Sequence, residues 1–289
     1  MGISFNEVSH LYRGIKKKDI NVALENISLN INEKNEFIAI VGKTGSGKST
    51  LIQHMNALKL PSKGNVSIFD YVITPKQRKN PKLKNVRRRV GFVFQFPEYQ
   101  LFEETVLKDI MFAPLNFGMK REEAKAKAIE IAKLLKIEKL LDKSPFNLSG
   151  GQMRKAAIAG ILSYDPDILL LDEPTRGLDP RGQEEIMKLL YDIHKKTNKT
   201  IIMITHDMNI VYEFATRVIV LNEGKITYDG SKEELFSSNI YKDNSLTKPE
   251  VLDLIDYLND KLNLNIGYDT YTLKELLKKL EKNTEVEYE

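Results

Sequence analysis

The stretch Phe37-Ile38-Ala39-Ile40-Val41-Gly42-Lys43-Thr44-Gly45-Ser46-Gly47-Lys48-Ser49-Thr50 joins a continuous apolar run to a glycine-rich loop. The apolar run stops at Gly42, the pattern of a strand buried on both faces. Residues 42–49 match G-x-x-x-x-G-K-[ST], placed after a strand and opening a helix. The glycines let successive backbone N–H groups face phosphates at the positive end of the helix dipole. In that arrangement Lys48 reaches the β- and γ-phosphates and the Ser49 hydroxyl ligates Mg²⁺. The following helix should start near Lys48, with Leu51, Ile52, Met55 and Leu58 on one face.

Working outward, Ile168-Leu169-Leu170-Leu171-Asp172-Glu173 is a second buried strand, ending in two carboxylates. Asp172 suits a water-mediated Mg²⁺ contact, and Glu173 is placed to polarise the water that attacks the γ-phosphate. Elsewhere, rough alternation at Ile3 to Val8 and Ala23 to Ile31 reads as half-buried strands, with Lys16-Lys17-Lys18 an exposed hairpin or loop. Asn65 to Val72, Val90 to Phe94, Thr200 to Ile204 and Arg217 to Leu221 read as strands. Helices are expected at Glu122 to Leu135, Gly182 to Lys195 and from Met208, within a charged helical stretch over residues 103–165 in the first case. Strands alternating with helices imply a mainly parallel sheet covered on both faces. The tail predicts two helices, Pro249 to Leu262 with Pro249 in the first helical position, and Thr272 to Lys282 with a Thr272/Glu275 capping box. The polar stretch Ser237 to Thr247 marks a boundary between them and the rest.

The 289 residues, 42% hydrophobic and 29% charged, describe a globular protein. No run approaches the ~18 apolar residues of a membrane span, and Met1 to Glu7 carries no basic-then-apolar leader, so a cytosolic protein is expected. Cysteine is absent, which excludes disulfides, thiolate metal sites and cysteine nucleophiles. Net charge +4 is too mild to imply nucleic acid by itself. The run Lys76 to Arg89 is locally basic and without acids; it reads as a solvated loop, or as a contact for phosphate backbones or anionic lipid. His10, His54 and His194 fit no ligand spacing; His54 is expected to pack, and metal should enter only as Mg²⁺ with the nucleotide.

These two motifs specify only a P-loop nucleotide hydrolase. Leu148-Ser149-Gly150-Gly151-Gln152, standing before Asp172, is the signature by which the chain resembles an ABC-type ATPase. The resemblance implies a P-loop α/β fold with a RecA-like, mainly parallel sheet core, an antiparallel β subdomain and a helical signature subdomain. It implies ATP and Mg²⁺ as cofactors, held by Gly42, Lys43, Thr44, Gly45, Ser46, Gly47, Lys48, Ser49 and Thr50. Ser149, Gly150, Gly151 and Gln152 would cover the γ-phosphate held by a partner's phosphate loop. Gln95 matches the residue that senses Mg²⁺ and couples to a membrane partner, Asp179 the loop that crosses the dimer interface, and His206 the γ-phosphate switch. Tyr12 matches the aromatic that stacks on adenine, although from the residues alone Phe5 and Tyr12 read equally as core aromatics.

Val93-Phe94-Gln95-Phe96-Pro97-Glu98-Tyr99-Gln100-Leu101-Phe102 and Gln152-Met153-Arg154-Lys155-Ala156-Ala157-Ile158-Ala159-Gly160 narrow the resemblance. They look like the ATP-binding subunit of an energy-coupling-factor (ECF) transporter, a bacterial importer of vitamins or metal ions, and like the second of its two paralogous ATPases. The implied partners are a second ATPase subunit (paralogue or self), a transmembrane coupling subunit and a substrate-binding membrane subunit, on the cytoplasmic face of the cell membrane and without nucleic acid. Residues 1–235 would form the cassette, with a helical part about 97–165, and residues 236–289 a helical extension with a dimer role. Arg176 departs from the small residue expected between Thr175 and Gly177, while leaving Asp172 and Glu173 in place. The competing expectation is a soluble ABC ATPase acting on nucleic acid or ribosomes, supported by the basic run.

Overall fold

The structure, a computed structural model, describes residues 2–13, 20–75, 82–96 and 99–285. Strands β1 (Ile3–Arg13), β2 (Ile20–Ile31), β4 (Lys63–Ile68) and β5 (Tyr71–Ile73) pair antiparallel in the order β2-β1-β4-β5. Strands β3 (Phe37–Val41), β6 (Val90–Val93), β7 (Ile168–Asp172), β8 (Thr200–Ile204), β9 (Arg217–Asn222) and β10 (Lys225–Gly230) form the larger sheet, in the order β10-β9-β3-β8-β7-β6. That sheet is parallel except for the β9–β10 hairpin. The chain therefore has the mixed architecture expected of an ABC ATPase, with the phosphate loop leaving β3.

The period of two along the central strands assigns each side chain to a layer. On β7, Ile168 and Leu170 join the core beneath the antiparallel sheet, while Leu169 and Leu171 join the core beneath the helices. On β8, Ile202 and Ile204 split from Ile201 and Met203 in the same way. The helical side is built from α3 (Val106–Asn116), α4 (Arg121–Leu134), α5 (Gly150–Leu162) and α6 (Pro180–Thr197). Along α4 the alanines and aliphatics Ala124, Ala128, Ile131, Ala132 and Leu135 are all buried, as their spacing predicts. Helix α1 (Lys48–His54) packs on the other side of the large sheet, burying Leu51 and Ile52 with Met55 just beyond it.

Several boundaries differ from expectation. The chain bends at Phe69, in the left-handed region with φ 51°, so the single strand read over 65–72 becomes β4 and β5. Helix α1 ends at His54 and Ala57 turns with φ 54°, which leaves Leu58 40% exposed instead of on the buried face. Pro249 is the cap of α10 (Glu250–Leu262), one position before the first helical residue. The basic run is not all loop: Leu83–Arg89 form helix α2, while residues 76–81 lie outside the described residues, as do Lys16 to Lys18. Arg87 donates to the Ala57 carbonyl, and Arg89 lies 3.4 Å over the Phe69 ring and pairs with Asp167 and Glu33. These two arginines are engaged within the fold, so the surface offered to a nucleic acid by this run shrinks accordingly.

Helix α7 (Met208–Phe214) leads to β9, and α8 (Lys232–Ser237) and α9 (Ile240–Asp243) lead to α10 and α11 (Leu273–Glu285). The Thr272/Glu275 capping box forms, with both reciprocal bonds at 3.2 and 3.3 Å. Val251, Leu252 and Ile255 of α10, with Ile266 and Leu276, share one apolar cluster with Val41 of β3 and Val220 of β9. The tail helices thus complete the core under the sheet. Leu252→Ala should lower global stability by about 2–5 kcal/mol in one cooperative urea transition. A separate early transition for the tail, with the main transition unmoved, would contradict this.

Candidate nucleotide site

The loop after β3 places Gly42, Gly45 and Gly47 at positive φ, and at two of them there is also no room for a side chain. Gly47, which caps α1, has φ 105°, and a Cβ there would stand 2.3 Å from the Ala23 carbonyl oxygen. Gly42 has φ 137°, and a Cβ there would stand 2.0 Å from the Leu221 carbonyl oxygen. The β9–β10 hairpin braces the loop: Gly224 N–H donates to the Ser46 carbonyl at 3.0 Å. Lys48 is buried and donates to the carbonyls of Gly42 and Lys43, both at 2.8 Å. Burial pulls its pKa down, against the charges of Glu173 and Asp172, which pull it up.

A cleft of about 690 Å³ opens over this loop, lined among others by Tyr12, Thr44, Ser49, Glu173 and His206. Tyr12 stands at the end of β1 and its hydroxyl lies 3.0 Å from Thr50 Oγ1. Behind it the rings of His10 and His54 stack edge to face, each contact at 4.8 Å. His54 is a packing residue, as expected: it is fully buried and its Nδ1 lies 2.7 Å from the Thr50 carbonyl.

Glu173 follows β7 with φ 48°, a conformation that costs a non-glycine residue of order 1–3 kcal/mol. Its Oε2 accepts from Gln95 Nε2 at 2.8 Å, and its Oε1 lies 3.4 Å from His206 Nε2. Burial and the nearby Lys48 charge hold the His206 pKa below its usual value, against the pull of Glu173. Arg176, which departs from the small residue expected there, engages one of the two carboxylates it leaves in place: its guanidinium, 57% exposed, donates to Glu173 Oε2 at 2.9 Å.

Asp172 lies 3.5 Å from the Ser49 hydroxyl, and burial raises its pKa despite that hydroxyl and Lys48. Buried Asp172 with the Ser49 hydroxyl close by is an oxygen donor pair suited to a hard divalent cation. Ser49 and Asp172 therefore fit Mg²⁺, while Gln95 turns its amide nitrogen to Glu173.

The signature residues do not join this group. Ser149, Gly150, Gly151 and Gln152 line a second cleft of about 770 Å³, together with Asp179. Ser149 and Gln152 cap α5 reciprocally, and Asp179 caps α6 through Gly182 N–H at 2.7 Å. One chain thus presents the phosphate loop in one cleft and the signature in another. A residue to which the motifs gave no role is Arg154, 5% exposed, whose guanidinium reaches the backbone carbonyls of Gln95, Pro174 and Arg176.

The ABC transporter family model matches residues 24–176. The chain belongs to the ABC transporter family. It is 52% identical over 247 residues to the energy-coupling factor transporter ATP-binding protein EcfA2 of Ligilactobacillus salivarius, covering 85% of each chain. It is 44% identical over 280 residues to EcfA2 of Bacillus licheniformis, covering 95% of each. Among solved structures it resembles CbiO1 of Clostridium perfringens, part of the ABC transporter complex CbiONQ, with TM-score 0.73 and 34% identity over 90% of this chain and 95% of that one. It also resembles the cassette MJ0796 in a dimeric post-hydrolysis state bound to ADP and Pi, with TM-score 0.71 and 33% identity over 79% of this chain and 98% of that one. Within the family this cassette is an ATPase of the energy-coupling factor type.

The buried ring beside the site carries a pH signature. Burial lowers the His54 pKa from 6.5 to about 4. The unfolded chain takes up this proton below about pH 6.5 and the folded chain does not, so stability present above that pH is lost as pH falls toward 4. Urea titrations of this cassette and of His54→Gln between pH 7 and 4.5 should diverge, the substituted chain losing less by up to about 3 kcal/mol. Parallel pH profiles would contradict this.

Proposed function

We propose that this cassette hydrolyses ATP as the motor of an energy-coupling factor importer, closing with a second ATPase subunit to drive uptake of a vitamin or metal ion. The observation that carries the reading is the convergence of Gln95, His206 and Glu173 at the cleft above the phosphate loop. Tyr12 stacks on adenine; Gly42 to Thr50 cradle the phosphates, with Lys48 on the β- and γ-phosphates. Ser49, Asp172 and Gln95 would hold Mg²⁺, which would neutralise phosphate charge. Glu173 orients and polarises the attacking water, and His206 holds the γ-phosphate by a hydrogen bond. Ser149 and the N–H groups of Gly150 and Gly151 serve a nucleotide on the other subunit, donating from a helix N-terminus. Gln152 keeps that N-terminus formed, and Asp179 lies in the loop that crosses between subunits.

The separation of the two clefts supports a site completed by two chains, a paralogue or a second copy. Residues 1–235 act as the cassette, and the helices of residues 236–289 add to the contact between subunits. No helix among the described residues is long and apolar enough to cross a membrane. A peripheral position at the cytoplasmic face, against a transmembrane coupling subunit that works with a substrate-binding one, follows from the reading. Its support is a set of exposed aromatics in the segment after β6 and on α3: Phe96 with Tyr99, the latter 84% exposed, and Phe102 with Phe112, each pair edge to face, beside Phe94. Exposed apolar side chains of this size suit an interaction surface.

In the reconstituted transporter, Glu173→Gln should retain ATP binding and ATP-dependent dimerisation while phosphate release falls by at least about 10²-fold. Near-normal turnover would remove Glu173 from its assigned role.

A further inference from the structure

Arg154 is a nearly fully buried cation on the second turn of the signature helix α5. Its guanidinium donates to the carbonyl of Gln95 at 3.2 Å, of Arg176 at 2.9 Å and of Pro174. Those carbonyls lie on two different loops, one after β6 and one after β7. Each loop carries one of the two side chains that meet at 2.8 Å, Gln95 and Glu173. The residue beside Pro174 is Glu173 itself, so the bond to Pro174 acts one peptide from the carboxylate. Arg176, whose carbonyl is also held, returns its own guanidinium to Glu173.

One planar fork therefore spans three backbone oxygens on two loops from a third element. A lysine in the same place has its donors on one nitrogen, without the planar fork whose two nitrogens here reach the two loops. A buried cation is costly to retain as mere filler, and here its donors are directed at the backbone that carries the reacting groups.

We propose that Arg154 is a positioning residue that ties the signature helix to Gln95 and Glu173, so that displacement of α5 moves both together. The inference rests on the assignment of Glu173 and Gln95 made above. It predicts a loss confined to the chemical step, because the three carbonyls that Arg154 holds lie on the loops that carry Gln95 and Glu173.

The test uses the full reconstituted transporter with ATP, measuring kcat, KM and equilibrium ATP binding. Arg154→Lys should keep ATP affinity and thermal midpoint near those of the parent while kcat falls by about 10²-fold, the cost of misplacing reacting groups by about an ångström. Combined with Gln95→Ala, the losses in kcat should be strongly non-additive, since both act through one carboxylate. Arg154→Gln, measured in parallel, keeps the test open if the lysine variant does not fold. A kcat within threefold of the parent in a folded Arg154 variant overturns the proposal. So does additivity with Gln95→Ala, or rescue by lysine of the defect seen in Arg154→Gln. Glu173→Gln measured beside them separates the two readings. Turnover there overturns the site assignment, whereas an inactive Glu173→Gln beside a normal Arg154→Lys overturns this inference alone.

Discussion

Parallel pairing sets Ile40 of β3 and Asp172 of β7 on either side of the same residue, Ile204 of β8. The three strands consequently run out at one edge of the sheet, with buried Leu, Ile and Val behind them. Backbone bonds carry the row one step further: Glu173 N–H donates to the Ile204 carbonyl at 3.1 Å, and Thr205 N–H to the Ile40 carbonyl at 3.4 Å. Gly42, Glu173 and His206 are thereby neighbours although they are far apart in the chain. The register is enforced by the apolar side chains on both faces, since a slip of one residue would send every one of them to the wrong layer. The chemistry at the carboxyl edge depends on this pairing, as is general for open α/β sheets.

Charge is concentrated at that edge and mostly withdrawn from water. Lys48 and Asp172 are both buried and their pKa values move toward the neutral forms, Lys48 down and Asp172 up. Such a pair is short of compensating charge, and a phosphate chain bearing a divalent cation supplies both missing signs at once. Arg176 adds a cation where a small residue would add none, and it lands on the carboxylate proposed to act on water. The fold accordingly holds Glu173 between Gln95, Arg176 and His206, a carboxylate surrounded by donors.

The phosphate loop, the two central strands and their terminal carboxylates were legible because each is a local pattern: an apolar run, then residues of fixed type at fixed spacing. Helix α4 was legible for the same reason, its buried face being written as alanines and aliphatics at helical intervals. What escaped was set by backbone conformation or by distant partners. The break between β4 and β5 depends on Phe69 adopting a left-handed turn, and aromatic residues give no warning of that. Half of the basic run became α2 because Val86 is buried and Arg87 and Arg89 find partners brought from elsewhere by the fold. Arg154 lies in the stretch Gln152 to Gly160, which marks the resemblance without giving this residue a task. Its partners are backbone carbonyls, which carry no side-chain signal at all.

The turn from Glu173 to Asp179 joins the two clefts. Glu173 lines the one over the phosphate loop, and Asp179 lines the one beside the signature. Between them the chain is held by Arg154 at Pro174 and Arg176, and closed by Arg176 N–H donating to the Glu173 carbonyl and Leu178 N–H to the Thr175 carbonyl. A segment this short and this tied cannot move at one end independently of the other. If two cassettes close so that each signature faces the other's phosphate loop, a shift at Asp179 in the interface is felt at Glu173 in the same chain. The nucleotide served by a chain's own phosphate loop and the one served by its own signature are then coupled through a few residues of backbone.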